Sequence, residues 1–333
     1  MITLITKDNY NFLINEKTGK WFSFYYAKED GVIKDIKEKD LKQLFSNYNE
    51  FKEYIKEIRN SDIKENKKLT KMNYLVFHTT DACNMKCQYC YAVDNLNDKN
   101  SNNMDYKTMI KSIKKFYKQD DFFVLFHGRE PLMNYDNIIK TIRYFKSEKK
   151  IHFIIQTNGL LLDEIKIKEL RKYKVIINVS IDGISDKNNI LRINGMNIDY
   201  TNKLKQLIEK YKIKPIIIVH KNNYKDLNRI TEYLIKNDIN GASYNFLWPT
   251  NDNQILNQYV VPTDTLYKTM KKVFDKSIYN NKFIFKERDL YLLYGRILKR
   301  DIFNYMCNSA PCGAGKNCLS IYKDGQIYPC TMV

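Results

Sequence analysis

Three cysteines, Cys83, Cys87 and Cys90, stand in the order C-x3-C-x2-C within one short polar segment. Thiolates this close along the chain can face one centre, and soft sulfur donors select zinc, Cu(I) or an iron–sulfur cluster. A closed zinc site wants a fourth protein ligand, for which His78 is nearest, whereas a cluster held by three thiolates leaves one iron open to a small molecule. Free structural thiols are the bland reading of the same residues. A second group, Cys307, Cys312, Cys318 and Cys330, follows near the C-terminus. On spacing alone those four suit a structural zinc as well as a second cluster. Gly313-Ala314-Gly315-Lys316 among them is no phosphate loop, because Ala310 stands where the first Gly is required and Asn317 where Ser or Thr is required.

The cysteine triad follows a β-rich run, Tyr74 to Thr79, and five more such runs come after it: Phe122 to His127, Ile151 to Thr157, Val175 to Ile181, Pro215 to His220 and Ala242 to Trp248. Amphipathic stretches alternate with them at Tyr106 to Lys118, Tyr135 to Ser147, Asp163 to Lys172, Tyr200 to Lys210 and Tyr224 to Lys236. This βα repetition predicts a parallel sheet, either open and doubly wound or closed toward a barrel, with function at the C-terminal ends of its strands. Ahead of it, strands are expected over Tyr10 to Asn15 and Trp21 to Tyr26. The spacing of Leu41, Leu44, Phe45, Tyr48, Phe51, Ile55 and Ile58 then predicts one helix of about five turns. Two helices, Thr263 to Ser277 and Glu287 to Arg300, precede a hairpin-like Leu319 to Cys330.

Composition narrows the class. With 44% hydrophobic and 28% charged residues, and only 11 Gly and 6 Pro in 333, the chain is neither disordered nor fibrous. No apolar run approaches a membrane span and no secretory signal opens the chain, so a soluble, cytoplasmic protein is expected. An odd count of seven cysteines then favours ligands or free thiols over disulfides. The net charge of +18 invites a nucleic-acid partner, but the basic pairs are scattered over many elements, as on a solvated lysine-rich surface. A zinc-stabilised nucleic-acid-binding protein would explain charge and cysteines and leave the βα repeats unexplained.

The cysteine spacing, with Tyr89 just before the third Cys, resembles the cluster motif of radical S-adenosylmethionine (radical SAM) enzymes. Phe126-His127-Gly128-Arg129-Glu130-Pro131-Leu132 is similar to that superfamily's Gly-Gly-Glu-Pro motif, with Arg129 in place of a Gly. Gln156-Thr157-Asn158-Gly159, Val179-Ser180-Ile181-Asp182-Gly183 and Arg192 stand where the superfamily has comparable residues. The resemblance implies a [4Fe-4S] cluster on Cys83, Cys87 and Cys90 whose open iron chelates SAM. It implies Tyr89 against the adenine, Gly128 and Glu130 at the amino group, Ser180 and Arg192 at the carboxylate, and Asn158 near the ribose. No catalytic side chain is named; His78, His127 and His220 are candidates only by their place at strand ends.

The C-terminal segment resembles the start of a SPASM domain, the auxiliary-cluster module of peptide-modifying radical SAM enzymes. By that resemblance Cys312, Cys318 and Cys330, with Cys307 as a further candidate, ligate an auxiliary [4Fe-4S] cluster, in a domain left incomplete at Val333. The expected fold is a partial (β/α)6 TIM-type barrel with a small N-terminal α+β unit and a Cys-rich C-terminal auxiliary-cluster segment. The expected domains are residues 1–70, similar in position to a leader-peptide recognition element, a radical SAM core at 71–260, a helical connector at 261–306 and the SPASM start at 307–333. The implied activity is thioether formation in a Cys-rich precursor peptide, with a flavodoxin- or ferredoxin-type low-potential electron donor and neither nucleic acid nor membrane as partner. The competing activity is that of anaerobic sulfatase-maturating enzymes, which make formylglycine. That family places an Asp after the cysteine equivalent to Cys330, where this chain has Thr331.

Overall fold

A computed structural model describes residues 2–7, 9–16, 21–60, 72–90, 103–248, 254–280, 282–298 and 313–330. By contacts the chain divides into two compact units, one built on the first 71 residues with 304–317, the other on 72–303 with 318–333.

The first unit carries four antiparallel strands, β1 (Ile2–Lys7), β2 (Tyr10–Asn15), β3 (Trp21–Tyr25) and β4 (Gly31–Ile33), in the order β3-β2-β1-β4. Two helices follow, α1 (Glu38–Leu44) and α2 (Tyr48–Arg59). Leu41, Phe45, Tyr48, Phe51, Ile55 and Ile58 are all buried against Ile2, Leu4 and Leu13. The apolar face read from the sequence is therefore real, but the single helix is interrupted. Phe45 ends α1 in an extended conformation, and Ser46-Asn47 occupy the break. Short polar side chains of this type compete with helical hydrogen bonding and favour turns and caps. Strands β1 and β4 went unread: β1 is amphipathic over a short span and β4 has three residues.

In the second unit six parallel strands form the core sheet: β5 (Tyr74–His78), β6 (Phe122–His127), β7 (Ile151–Thr157), β8 (Ile176–Ser180), β9 (Lys214–Val219) and β10 (Gly241–Phe246), each hydrogen-bonded to the next in sequence order. Helices α3 (Tyr106–Phe116), α4 (Tyr135–Tyr144), α5 (Glu164–Lys172), α6 (Asp186–Ile193), α7 (Tyr200–Tyr211) and α8 (Leu227–Lys236) make the crossovers. Sequential parallel order with repeated βα crossovers is the partial barrel expected of a (β/α)6 core. The N-termini of α3 and α5 are fixed by Asp105 and Asp163, whose carboxylates accept from the backbone of Lys107 and Lys166.

Alternation along the strands separates two faces. Leu75, Phe77, Val124, Phe126, Phe153, Ile155, Ile177 and Val179 are buried in one core with Met109, Ile113, Ile138, Ile142, Ile167, Leu170, Leu204 and Ile208 of the helices. The opposite face is partly exposed and becomes polar toward the strand ends, at His127, Gln156, Asn178, Ser180 and Asn245.

Beyond β10 come α9 (Gln254–Asn257), α10 (Thr263–Ser277), the two-residue strands β11 (Ile278–Tyr279), β12 (Lys282–Phe283) and β13 (Lys286–Glu287), and α11 (Arg288–Leu298). The C-terminal hairpin, β14 (Cys318–Ile321) and β15 (Ile327–Tyr328), does more than the sequence suggests. Its first strand pairs in parallel with β5 and so extends the barrel sheet to nine strands, with β13 at the far edge beside β10. Among the described residues no helix is long and apolar enough to cross a membrane.

Candidate cofactor site

The cysteine loop leaves the C-terminal end of β5 and is held from three directions. Beneath it, the Thr79 backbone N–H donates to the His127 carbonyl at 3.1 Å, and Glu130 N donates to the Ala82 carbonyl at 3.1 Å. From the side, Asn194 ends α6 in a left-handed conformation that Asn tolerates better than most residues. Its amide donates to the Lys86 carbonyl at 2.7 Å and accepts from Gln88 Nε2 at 2.9 Å. Across the sheet, Asn158 Nδ2 donates to Asn84 Oδ1 at 2.8 Å and lies 3.8 Å from Cys83 Sγ.

Gly128 is required for this approach of two strand ends. Its φ of +106° and a Cβ that would sit 3.0 Å from Thr79 N leave no room for a side chain. Gly128→Ala is expected to cost about 2 kcal/mol of stability in urea unfolding; an unchanged midpoint would contradict the steric argument. Glu130 is fully buried, and its carboxylate ties this loop to the next: Oε1 accepts from Thr157 Oγ1 at 2.6 Å and Leu132 N at 3.0 Å, Oε2 from Asn158 N at 2.7 Å. Burial pushes its carboxyl up, and those donors oppose the shift.

A second polar cluster centres on Asp182, fully buried after β8. Its Oδ1 accepts from Arg192 Nη2 at 2.8 Å and from Ile218 N at 3.0 Å, and its Oδ2 accepts from the Tyr89 hydroxyl. His220 Nε2 lies 3.8 Å from Oδ2. Burial alone would raise this carboxyl; the Arg192 guanidinium and the His220 imidazole overcome that and hold it below the ordinary carboxylate range. The Arg192 guanidinium also sits 5.4 Å from the centre of the Tyr89 ring. Tyr89, one residue before Cys90, is thereby fixed in place, as is Arg192, whose Nε is buried without a hydrogen-bond partner.

The structure thus brings Cys83, Cys87, Cys90, Tyr89, Gly128, Glu130, Asn158 and Arg192 to one end of the sheet. Ser180 ends β8 there, its carbonyl accepting from the Tyr200 hydroxyl. Cys318 is buried at the start of β14 and Cys330 half-buried after β15. Cys307 and Cys312 lie outside the described residues. Asp182 went unrecognised as a site residue because its partners Tyr89, Arg192 and His220 are far apart in sequence; its place in Ser180-Ile181-Asp182-Gly183 was the available signal.

A model of the radical SAM superfamily matches residues 77–234. An uncharacterized protein of Methanocaldococcus jannaschii is 30% identical over 268 residues, which cover 76% of this chain and 90% of that one. The chain belongs to the radical SAM superfamily. A cysteine-type anaerobic sulfatase-maturating enzyme of Clostridium perfringens is 24% identical over 278 residues, 78% of this chain and 74% of its own. Among solved structures, anSMEcpe with bound AdoMet superposes with a TM-score of 0.63 at 22% identity, covering 78% of this chain and 71% of that one. Streptococcus suis SuiB bound to its precursor peptide SuiA superposes with a TM-score of 0.56 at 17% identity, covering 99% of this chain and 83% of that one. The protein is a radical SAM enzyme related in sequence to sulfatase-maturating enzymes, of a superfamily that works with SAM and a [4Fe-4S] cluster.

The residues of this radical SAM chain fit those groups. Cys83, Cys87 and Cys90 are free thiols, and Cys83 Sγ accepts from Met85 N at 3.4 Å as well as facing Asn158 Nδ2. Donors aimed at sulfur suit a thiolate. Burial pushes the Cys87 thiol up to about 11; the Arg192 guanidinium opposes this, and Asp182, Cys90 and Cys83 add to it. Among the described residues no three His, Cys, Asp or Glu side chains converge as on a single ion. A cluster differs from such a site in spreading its thiolates over separate irons. Arg192 Nε is a buried donor still without an acceptor, as a carboxylate-binding role requires.

Proposed function

We propose that this enzyme matures a Cys-rich precursor peptide by linking cysteine sulfur to a carbon atom. Cys83, Cys87 and Cys90 would hold the cluster, which with SAM supplies the oxidant for breaking an unactivated C–H bond. Tyr89, held by Asp182, would lie against the adenine. The Gly128 to Glu130 turn would meet the SAM amino group, Ser180 and Arg192 its carboxylate, and Asn158 the ribose side. Cys318 and Cys330, with Cys312 and Cys307, would ligate an auxiliary cluster, and a flavodoxin- or ferredoxin-type donor would supply electrons.

The observation that carries the peptide reading is the sheet and helix pair ahead of the barrel, in a chain 99% of which superposes on SuiB bound to its precursor peptide. Strand β3 forms an edge of that sheet, with Tyr25 exposed. An extended leader would add there as a further strand, main-chain hydrogen bonds giving affinity and alternate side chains specificity.

Sulfatase maturation is the second reading, favoured by the likeness to the Clostridium enzymes. Thr331 in place of the Asp expected of that family counts against it. Mass and free-thiol count of a co-expressed precursor separate the two. A thioether removes two hydrogens and one free thiol per link and keeps the sulfur, whereas conversion of Cys to formylglycine turns CH2–SH into CH=O, losing the sulfur and two hydrogens and gaining one oxygen. An unchanged mass on a peptide shown to bind would sink both.

A further inference from the structure

The face of the barrel sheet turned away from the helices carries buried polar atoms that the proposed cofactor ligands leave unused. His78 ends β5 and His127 ends β6, at paired register positions, with ring centroids 5.5 Å apart. On the other side of β5, Ser320 of β14 pairs with Val76, two residues before His78 and on the same face. His78 is 6% exposed and Ser320 is 0% exposed. His78 Nε2, His127 Nδ1 and Ser320 Oγ are all buried without a hydrogen-bond partner. Three such atoms on adjacent strands are a concentrated deficit, because burying a polar group without a partner is costly.

The surroundings fix these groups without satisfying them. Tyr322 stacks on the His78 ring at 4.1 Å and 8°. The His127 backbone is held by Thr79, whose N–H and hydroxyl both donate to its carbonyl. The neighbouring carboxylate, Asp81, is paired with Lys323. Burial depresses both imidazoles, His78 to about 3 with help from His127, and His127 to about 4. Both rings are therefore neutral at physiological pH, each offering one N–H and one lone pair.

We propose that His78 and His127 line a subsite that takes a backbone amide of the peptide substrate. This rests on the peptide reading above. An amide brings one donor and one acceptor and no charge, which matches two neutral rings. A carboxylate offers acceptors only and an ammonium donors only, and with Asp81 already paired to Lys323 either would bring an uncompensated charge to two neutral rings. The two residues position substrate at the strand ends, beside the turn that begins at Gly128.

The test uses the full chain with cluster reconstituted and SAM bound, under anaerobic equilibrium dialysis against acetyl-Gly-Cys-Gly-methylamide. His78→Phe and His127→Phe are each expected to weaken binding about tenfold, and His127→Gln, which keeps a donor and an acceptor, by no more than about threefold. His152→Phe is the control: His152 lies on the same face toward the other end of the sheet and is paired with Asp121 at 2.8 Å, so binding should not change. Replacing the amide after Cys by an ester should weaken binding to the wild type and add nothing to the loss in His127→Phe. Should His78→Phe fail to fold, the pair His127→Phe and His127→Gln decides. Binding that ignores both rings, tighter binding of the free-acid peptide, or no binding to the wild type overturns the subsite. Ring-dependent binding of a peptide that is never modified would instead count against the maturation reading alone.

Discussion

Cys87→Ala is expected to abolish both the iron content of the cysteine loop and reductive cleavage of SAM. Three thiolates would be the whole protein contribution to a cluster with one open iron, so losing one would leave two ligands for about four irons. Burial raises the pKa of the Cys87 thiol, and the Arg192 guanidinium opposes this. Ligation must displace that proton, and the neighbouring positive charge stabilises the resulting thiolate. Iron per chain after anaerobic reconstitution should fall by about four, and 5′-deoxyadenosine should fall to the uncatalysed background. A variant that keeps its iron and still cleaves SAM would show that the cluster is held elsewhere.

Asp182→Ala is the substitution expected to do most damage to stability. It removes the carboxylate paired with Arg192, whose side chain is 6% exposed. It also takes away acceptors from Tyr89 and from the backbone of Ile218. Breaking a buried pair by deleting one partner leaves the other charge uncompensated, at a cost of about 3–5 kcal/mol. Asp182→Asn keeps the shape and one acceptor oxygen and should lose less. Urea unfolding of both variants checks the order; equal and small losses would mean that Arg192 finds another counter-charge.

The barrel was legible because a strand covered on one face by helices needs alternation, and the helices need apolar residues at three and four residue spacing. Phe122–His127 and Ile151–Thr157 match the expected spans residue for residue. The cysteine loop and the turn at Gly128 were legible for a different reason: their chemistry is local in sequence. What escaped was non-local. The pairing of Cys318–Ile321 with β5 joins residues more than two hundred positions apart, and no periodicity announces it. Asp182 carries no role in the sequence reading of Val179-Ser180-Ile181-Asp182-Gly183, since its value lies in partners brought from three other segments. Helix α6 was missed although it carries Arg192, being short and having buried Asn188 and Asn189 where an apolar face would show. Those asparagines serve the turn before them, Asn189 Oδ1 accepting from Asp182 N at 2.7 Å.

In the proposed function, a carbon-bound hydrogen of a peptide would be taken by the radical that SAM provides. The most direct measurement supplies the reconstituted enzyme with SAM, a reductant and a perdeuterated Cys-rich precursor peptide, and determines the isotopic composition of the 5′-deoxyadenosine formed. Deuterium is expected in that product, together with loss of two hydrogen isotopes from the peptide for each link. Steady formation of unlabelled 5′-deoxyadenosine with the peptide bound and unchanged would contradict it.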